Sequence, residues 1–487
     1  MTWRTHGPQR PSILPIDPAI AKPVAVPGMQ RRGTGYFFGE DTSERSLHAR
    51  HRYNIGVRIF LTNLGCKLNQ AELEQLARRF QAAGHPVVGS LAEADLHVVN
   101  TCTVTHVAAR DSRKVARRGR RSNPSMRTVL TGCYVTAEPE RTASLAGVDL
   151  VVPNEDKDQL LERLQEAFPE MAPVPTRAPE IPVPYVPLEF GNSRALVKVE
   201  DGCNMRCSFC IIPMTRGKQR SRPVSEVVEE VRALAATGCQ EVVITGVQIS
   251  TYDWHGKGLY DLTRSILEST LVPRLRLTSI APWQFDHRLL ELFDSQRLCR
   301  HVHLSLQSGC SATLRRMRRP YSSEDFSQLV DTLRDRVSGI AITTDVIVGF
   351  PGESDDEFEH SLRFTRDQEF ARVHAFPFSP RPGTEAAELS GQVPFAVKHL
   401  RMERMLEVAR RSRQRFAARH SETTAQVLWE CCKQGMWYGM TDNYLRVVTA
   451  SRVSLEHRIT SVRLTAATEV GMSYALRAEP TEVSTTH

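Results

Sequence analysis

Short apolar runs recur along this chain, and most are followed by segments in which apolar side chains return every three or four positions. The first rhythm predicts buried strands and the second amphipathic helices. VRIFLTNLG (57–65), LHVVNT (96–101) and RTVLTG (127–132) are predicted strands, and LNQAELEQLARRFQAAG is a helix that closes on Gly84. A second series follows: ALVKVEDG, EVVITGV, RLRLTSI, HVHLSLQSG, TTDVIVGFPG and RVHAFPFSP. Between its first two members, Val227, Val228, Val231, Leu234 and Ala235 share a helical face, and Gly238 supplies the stop. After residue 420 the pattern turns to short β segments: TTAQVLWE, NYLRVVTA and RITSVRLTAA. Strand–helix alternation implies parallel sheets. The predicted fold class is α/β: an N-terminal parallel sheet, a partial (β/α)6 barrel, and a small C-terminal all-β barrel or sandwich.

Proline interrupts these rhythms twice. Residues 1–55 carry Pro8, Pro11, Pro15, Pro18, Pro23 and Pro27 and are predicted to be an unstructured extension. Six prolines between 172 and 187 mark an extended linker over 172–190. The expected parts are 56–171, 191–418 and 420–480, with a tail at 481–487.

Composition narrows the class. The 487 residues are 41% hydrophobic and 24% charged, which excludes global disorder. Lys and Arg exceed Asp and Glu by 8, a surplus suited to an anionic partner such as nucleic acid. No apolar signal region opens the chain and no run approaches a membrane span, so a cytoplasmic protein is expected. Its eleven cysteines then read as packing residues, metal ligands or catalysts rather than a disulfide framework.

Cys66, Cys102 and Cys133 each lie just beyond a predicted strand, one βα unit apart. Sites in parallel sheets form beyond the carboxyl ends of strands, so three thiols are predicted to converge there. A single buried cysteine is ordinarily an apolar packing residue; three in one topological position point to metal or cluster ligation. Three thiolates around a cubane leave one iron without a protein ligand.

The first strand of the second series ends in DGCNMRCSFCIIP, a C-x3-C-x2-C run of Cys203, Cys207 and Cys210. Structural zinc sites use four ligands, commonly as two C-x2–4-C pairs, and no second pair is evident. Three thiolates on one loop suit three irons of a 4Fe-4S cube.

With Cys203-x3-Cys207-x-Phe-Cys210 after this strand, the chain resembles the radical S-adenosylmethionine (SAM) superfamily. With Cys66, Cys102 and Cys133 ahead of it, it resembles the methylthiotransferases, over about residues 56–480. NLGCKLNQ, NTCTVT and TGCY resemble the branch that modifies N6-threonylcarbamoyladenosine in tRNA. The isopentenyladenosine and ribosomal-protein branches show other patterns around the first cysteine. The resemblance implies two 4Fe-4S clusters and SAM as cofactors. The Cys203/Cys207/Cys210 cluster would cleave SAM to a 5′-deoxyadenosyl radical, and the Cys66/Cys102/Cys133 cluster would supply sulfur for a 2-methylthio group at position 37. It also implies a C-terminal TRAM domain, tRNA as partner, a reductant such as flavodoxin or ferredoxin, and a sulfur donor that the sequence leaves unnamed.

Further positions match family motifs that line SAM: Phe209, Thr245 and Gly246, Ser308 and Gly309, and Asp345, Gly349 and Gly352. Gly246 is expected to admit the methionine moiety, and Phe209 either to pack near adenine or to fill the loop. Ala281 departs from the family, where Glu is common. Residues 110–121 hold seven Arg or Lys, and RRMRRP follows the fourth strand, so both are candidate RNA contacts or solvated faces. Residues 420–480 carry six basic and six acidic side chains, leaving Trp437, Tyr438 and Tyr444 as candidate stacking or core groups. Cys239, Cys299, Cys310, Cys431 and Cys432 match no motif and are expected to pack. Two other readings stay open: methylthiolation of isopentenyladenosine in tRNA or of a ribosomal protein, and a non-catalytic iron–sulfur RNA-binding regulator.

Overall fold

The computed structural model describes residues 56–172, 193–470 and 473–480. The extension 1–55, the linker beyond residue 172 and the tail 481–487 lie outside the described residues.

The N-terminal part is a four-stranded parallel sheet in sequential order: β1 (Ile59–Asn63), β2 (Leu96–Thr101), β3 (Arg127–Gly132) and β4 (Leu150–Val152). Helix α1 (Lys67–Ala82) follows β1 and turns Leu73, Leu76, Ala77 and Phe80 into one core with Ile59, Leu61, Leu96 and Val98. Helix α2 (His106–Ser122) follows β2, capped by the Thr105 hydroxyl, which accepts from the Ala108 N–H at 3.1 Å. The short α3 (Cys133–Ala137) follows β3, and α4 (Leu160–Ala167) closes this part.

Six parallel strands form the central part as two three-stranded sheets. One holds β5 (Arg194–Lys198), β6 (Glu241–Thr245) and β7 (Arg274–Leu277). The other holds β8 (His301–Gln307), β9 (Ala341–Val348) and β10 (Arg372–Pro377). Isolated bridges, Leu275 with Leu298 and Ile280 with Leu304, join them into an open barrel. Helices α6 (Val224–Ala236), α7 (Leu259–Ser269), α8 (Ser323–Arg336), α9 (Asp355–Asp367) and α10 (Phe395–Arg419) follow the strands; α5 (Ile212–Arg216) is the short helix before them. Alternate residues Val197, Val242, Ile244, Leu275, Leu304 and Ile342 join one core with these helices, so the other strand face turns inward.

The C-terminal part is a closed five-stranded barrel of β11 (Thr424–Lys433), β12 (Met436–Thr441), β13 (Arg446–Ala450), β14 (Ile459–Val470) and β15 (Ser473–Pro480). Trp437 is 8% exposed and belongs to the core of this barrel with Trp429, the second of the two roles the sequence left open for it. Cys239, Cys299 and Cys310 are buried as expected, whereas Cys432 is exposed at the end of β11 and packs against no core. The C-terminal barrel docks on the amino-terminal ends of the central strands: Arg274 donates to the carbonyls of Met440 (3.1 Å) and Gln426 (2.7 Å), and Arg276 to that of Asp442 (2.8 Å).

Candidate active site

The three N-terminal cysteines stand at the carboxyl edge of the sheet. Cys66 is the N-cap of α1, Cys102 follows β2 directly, and Cys133 opens α3. Gly65, at φ 104°, brings the chain against Cys102: an added Cβ would lie 2.6 Å from Cys102 Cβ and 2.7 Å from its Sγ. The thiols lie within one another's electrostatic reach, Cys66 with Cys133 and Cys102 with both. Burial pushes the Cys102 thiol up to about 12 and raises that of Cys66, so iron would have to displace protons to bind. Among the described residues no three Cys, His or acidic groups are set for a single metal ion. What the fold assembles is a wider set of soft thiol donors, the chemistry that suits an iron–sulfur cube.

The second triad occupies the loop after β5. Cys203, Cys207 and Cys210 are half-buried free thiols. The loop is clamped at Ser208: its N–H donates to the Met317 carbonyl (3.2 Å), its hydroxyl to the Arg316 carbonyl (2.8 Å), and its own carbonyl accepts from Ala386 (2.8 Å). Cys203 Sγ accepts from the Met205 N–H at 3.4 Å. Burial pushes Cys210 up to about 12, with Arg319 pulling in the other direction. The Arg319 guanidinium lies over the rings of Phe209 (5.5 Å) and Trp283 (5.2 Å), and Trp283 stacks on Tyr321. Phe209 also meets Phe350 edge-on at 6.4 Å.

The two triads are joined by a buried ionic knot that the motifs did not announce. Arg216, six residues past Cys210 and fully buried, donates to Glu72 Oε1 (2.8 Å), Asp201 Oδ1 (2.8 Å) and Asn69 Oδ1 (2.6 Å). Lys157 Nζ adds bonds to Glu72 Oε2 (2.7 Å) and Asn100 Oδ1 (3.1 Å). Burial alone would raise the Glu72 carboxyl; Arg216, Lys157 and Lys198 together hold it well below its usual range. Arg216 is also within electrostatic reach of Cys66, Cys102 and Cys133. Asn154 Nδ2 ties the Thr215 carbonyl (2.8 Å) to Cys133 Sγ (3.5 Å). A signal did exist: Asn69 and Glu72 fall three and six residues past Cys66, on one face of α1.

The remaining motif positions are spread over the strand ends. Thr245 ends β6 and is buried. The space opposite Gly246 is filled by Glu200, whose Oε2 would lie 2.6 Å from an added Cβ. Burial pushes its carboxyl up to about 8 against the Gln248 N–H, which donates to Oε2 at 3.0 Å. The Ser308 hydroxyl accepts from Cys310, and Gly309 lies against Phe364 with its N–H on the Ser361 hydroxyl at 2.9 Å. The Gly349 N–H donates to Glu353 at 2.7 Å, and Gly352 to the Gly391 carbonyl at 2.8 Å. Asp345 sits inside β9 rather than at its end and pairs with His303 Nε2 at 3.3 Å. Ala281, at the departure from the family pattern, is buried, with its N–H on the Ser250 hydroxyl.

Residues 197–365 match the Radical SAM superfamily, and residues 58–153 match uncharacterized protein family UPF0004. The chain is 34% identical over 418 residues to threonylcarbamoyladenosine tRNA methylthiotransferase MtaB of Bacillus subtilis (strain 168), covering 82% of this chain and 92% of that protein. It is 31% identical to tRNA-2-methylthio-N(6)-dimethylallyladenosine synthase of Bacillus velezensis, over 77% of this chain and 76% of that one. A solved structure of the radical SAM methyltransferase TsrM from Kitasatospora setae, with cobalamin and a 4Fe-4S cluster bound, shares the fold at TM-score 0.53 and 18% identity, covering 68% of this chain and 77% of its own.

Proposed function

The chain belongs to the radical SAM methylthiotransferases, and we propose that it places a methylthio group on C2 of N6-threonylcarbamoyladenosine in tRNA. The observation that supports this reading is the pair of thiol triads, one at the strand ends of the N-terminal sheet and one on the loop after β5, with Arg216 from the segment of the second bonded to Glu72 and Asn69 beside the first. Cys203, Cys207 and Cys210 would hold one 4Fe-4S cluster, and Cys66, Cys102 and Cys133 a second. Bound there with SAM, these groups supply a radical able to take hydrogen from an unactivated C–H and a sulfur to replace it.

The protein's own part is to bind, orient and shield. Ser208 fixes the loop of the second triad against two neighbouring segments, so its three thiols keep their spacing. Phe209, Trp283, Tyr321 and Phe350 form an aromatic wall beside it that excludes water. Arg381 Nη1 donates to the Thr103 carbonyl at 3.0 Å and thereby holds the Cys102 segment against the central barrel.

Relatives named for the threonylcarbamoyl and the dimethylallyl base both match, and the first cysteine motif favours the former. Mass spectrometry of tRNA nucleosides from a deletion strain tests the target. Loss of 2-methylthio-N6-threonylcarbamoyladenosine is expected; loss of the isopentenyl analogue instead would overturn the assignment. Reconstituted protein should hold about eight irons per chain, and Cys102→Ala about four, with no product.

A further inference from the structure

Cys66 and Lys67 are both exposed to solvent, and Lys67 lies within electrostatic reach of Asp345, His374 and Tyr444, which places it in a chamber between these groups. The chamber is the lumen of the open barrel. Its floor is Tyr444 of the C-terminal barrel, stacked on His301 at 4.3 Å. One wall carries His303 of β8 together with Asp345 and His374, register partners on β9 and β10. Lys67 enters from α1, with its ammonium 5.8 Å from the centre of the Tyr444 ring.

The charges inside do not balance. Lys67 and Arg372 lie within electrostatic reach of the same groups, and among the described residues neither has an acidic group in bonding contact; the Asp345 carboxylate feels Lys67 only at a distance. Arg276 and Arg194, also near, are committed to Glu241 and Glu430 at 2.7 Å each. The carboxylate in the wall, Asp345, is engaged by His303. Two cations thus face the lumen against one carboxylate that His303 already holds, an excess of positive charge that favours an anionic guest over an apolar one.

We propose that this chamber takes the acidic side chain on N6 of the substrate base, with Lys67 and Arg372 as counter-ions to its carboxylate. This rests on the reading of the base as N6-threonylcarbamoyladenosine. That group carries a carboxylate at its far end and a hydroxyl and a urea along its length. His303, His374 and Asp345 offer donors and acceptors for the latter two. Lys67 directly follows Cys66, so a base presenting C2 to the first triad sends its N6 substituent into the space that Lys67 enters. An isopentenyl group would leave both cations unpaired, so the chamber selects against it as well as for the acid.

The test uses the reconstituted full chain and fluorescent anticodon stem-loop RNAs carrying the N6-threonylcarbamoyl acid, its carboxamide, or the isopentenyl base. Binding is read by anisotropy and turnover by mass spectrometry. Wild type should bind the acid about 30-fold more tightly than the carboxamide, the scale of a charge-assisted pair. Lys67→Gln should shrink that ratio to about 3-fold, and Lys67→Arg should keep most of it. Equal binding of acid and carboxamide by wild type, or an undiminished ratio in Lys67→Gln, overturns the chamber. If Lys67→Gln fails to fold or loses iron, Arg372→Gln, on a strand remote from the cysteines, carries the same expectation. The two readings fail differently. Turnover of the isopentenyl RNA but not of the acid defeats the substrate assignment. Turnover of the acid with no preference over the carboxamide leaves that assignment standing and defeats the chamber alone.

Discussion

A carboxylate with no solvent exposure must find its compensation inside the protein, and Glu241 finds it in Arg276. Both side chains are fully buried, with bonds of 2.7 and 3.0 Å between them. Burial alone would raise the Glu241 carboxyl; the Arg276 charge and hydrogen bonds override it and hold the group down at about 2. The folded value lies below the unfolded one of 4.5, so this stabilisation is complete above about pH 4.5 and drains away as pH falls toward 2. It amounts to about 3 kcal/mol. Glu241→Gln should flatten the acid limb of stability between those values, measured by denaturant unfolding; superimposable limbs for the two proteins would exclude the linkage. RLRLTSI alternates basic and apolar positions, and Arg274 and Arg276 turn inward. Helices cover the outside of a (β/α) barrel, so its polar strand face is the inner one, and alternation alone does not say which side is which.

At the scale of elements, α1 closes an edge. Strand β5 pairs with β6 on one side only, and its other edge would offer unpaired N–H groups. Helix α1 crosses that edge: Glu74, 2% exposed, accepts the Leu196 N–H at 3.0 Å, and Ala71 packs with Leu196 and Val243. Glu74→Ala would leave that N–H buried and unpaired at a cost of about 1–3 kcal/mol. The expected readout is a lower Tm for the full chain; an unchanged Tm would show that water or a neighbour replaces Glu74. The helix itself was legible, from its apolar spacing to its stop at Gly84. So was the placement of Cys66, Cys102 and Cys133 at strand ends and of Cys203, Cys207 and Cys210 on one loop, because strand ends and spacing are local signals. The second buried face of α1 was not. Asn69, Glu72 and Glu74 look like a solvated face until Arg216, Lys157 and Leu196 arrive from distant parts of the chain.

Across the whole molecule, charge is distributed unevenly. The C-terminal barrel is balanced, whereas α2 presents Arg110, Lys114, Arg117 and Arg118 to solvent directly after Cys102. Exposed Val104 and Val107 lie at its start, beside the thiols. If α2 meets the phosphates of tRNA, Lys114→Ala with Arg117→Ala should reduce the slope of log affinity against log salt by roughly 1.5. An unchanged slope would move the RNA to another face. The knot around Arg216 bears on a different matter. If one base is to meet both triads, on separate parts of the chain, it spans a gap that thermal motion would otherwise vary, and productive geometry tolerates only about 0.5 Å of error. Arg216 belongs to the segment of one triad and is gripped by side chains beside the other, so together with the Asn154 and Arg381 ties it acts as a gauge that limits how far the two parts can drift.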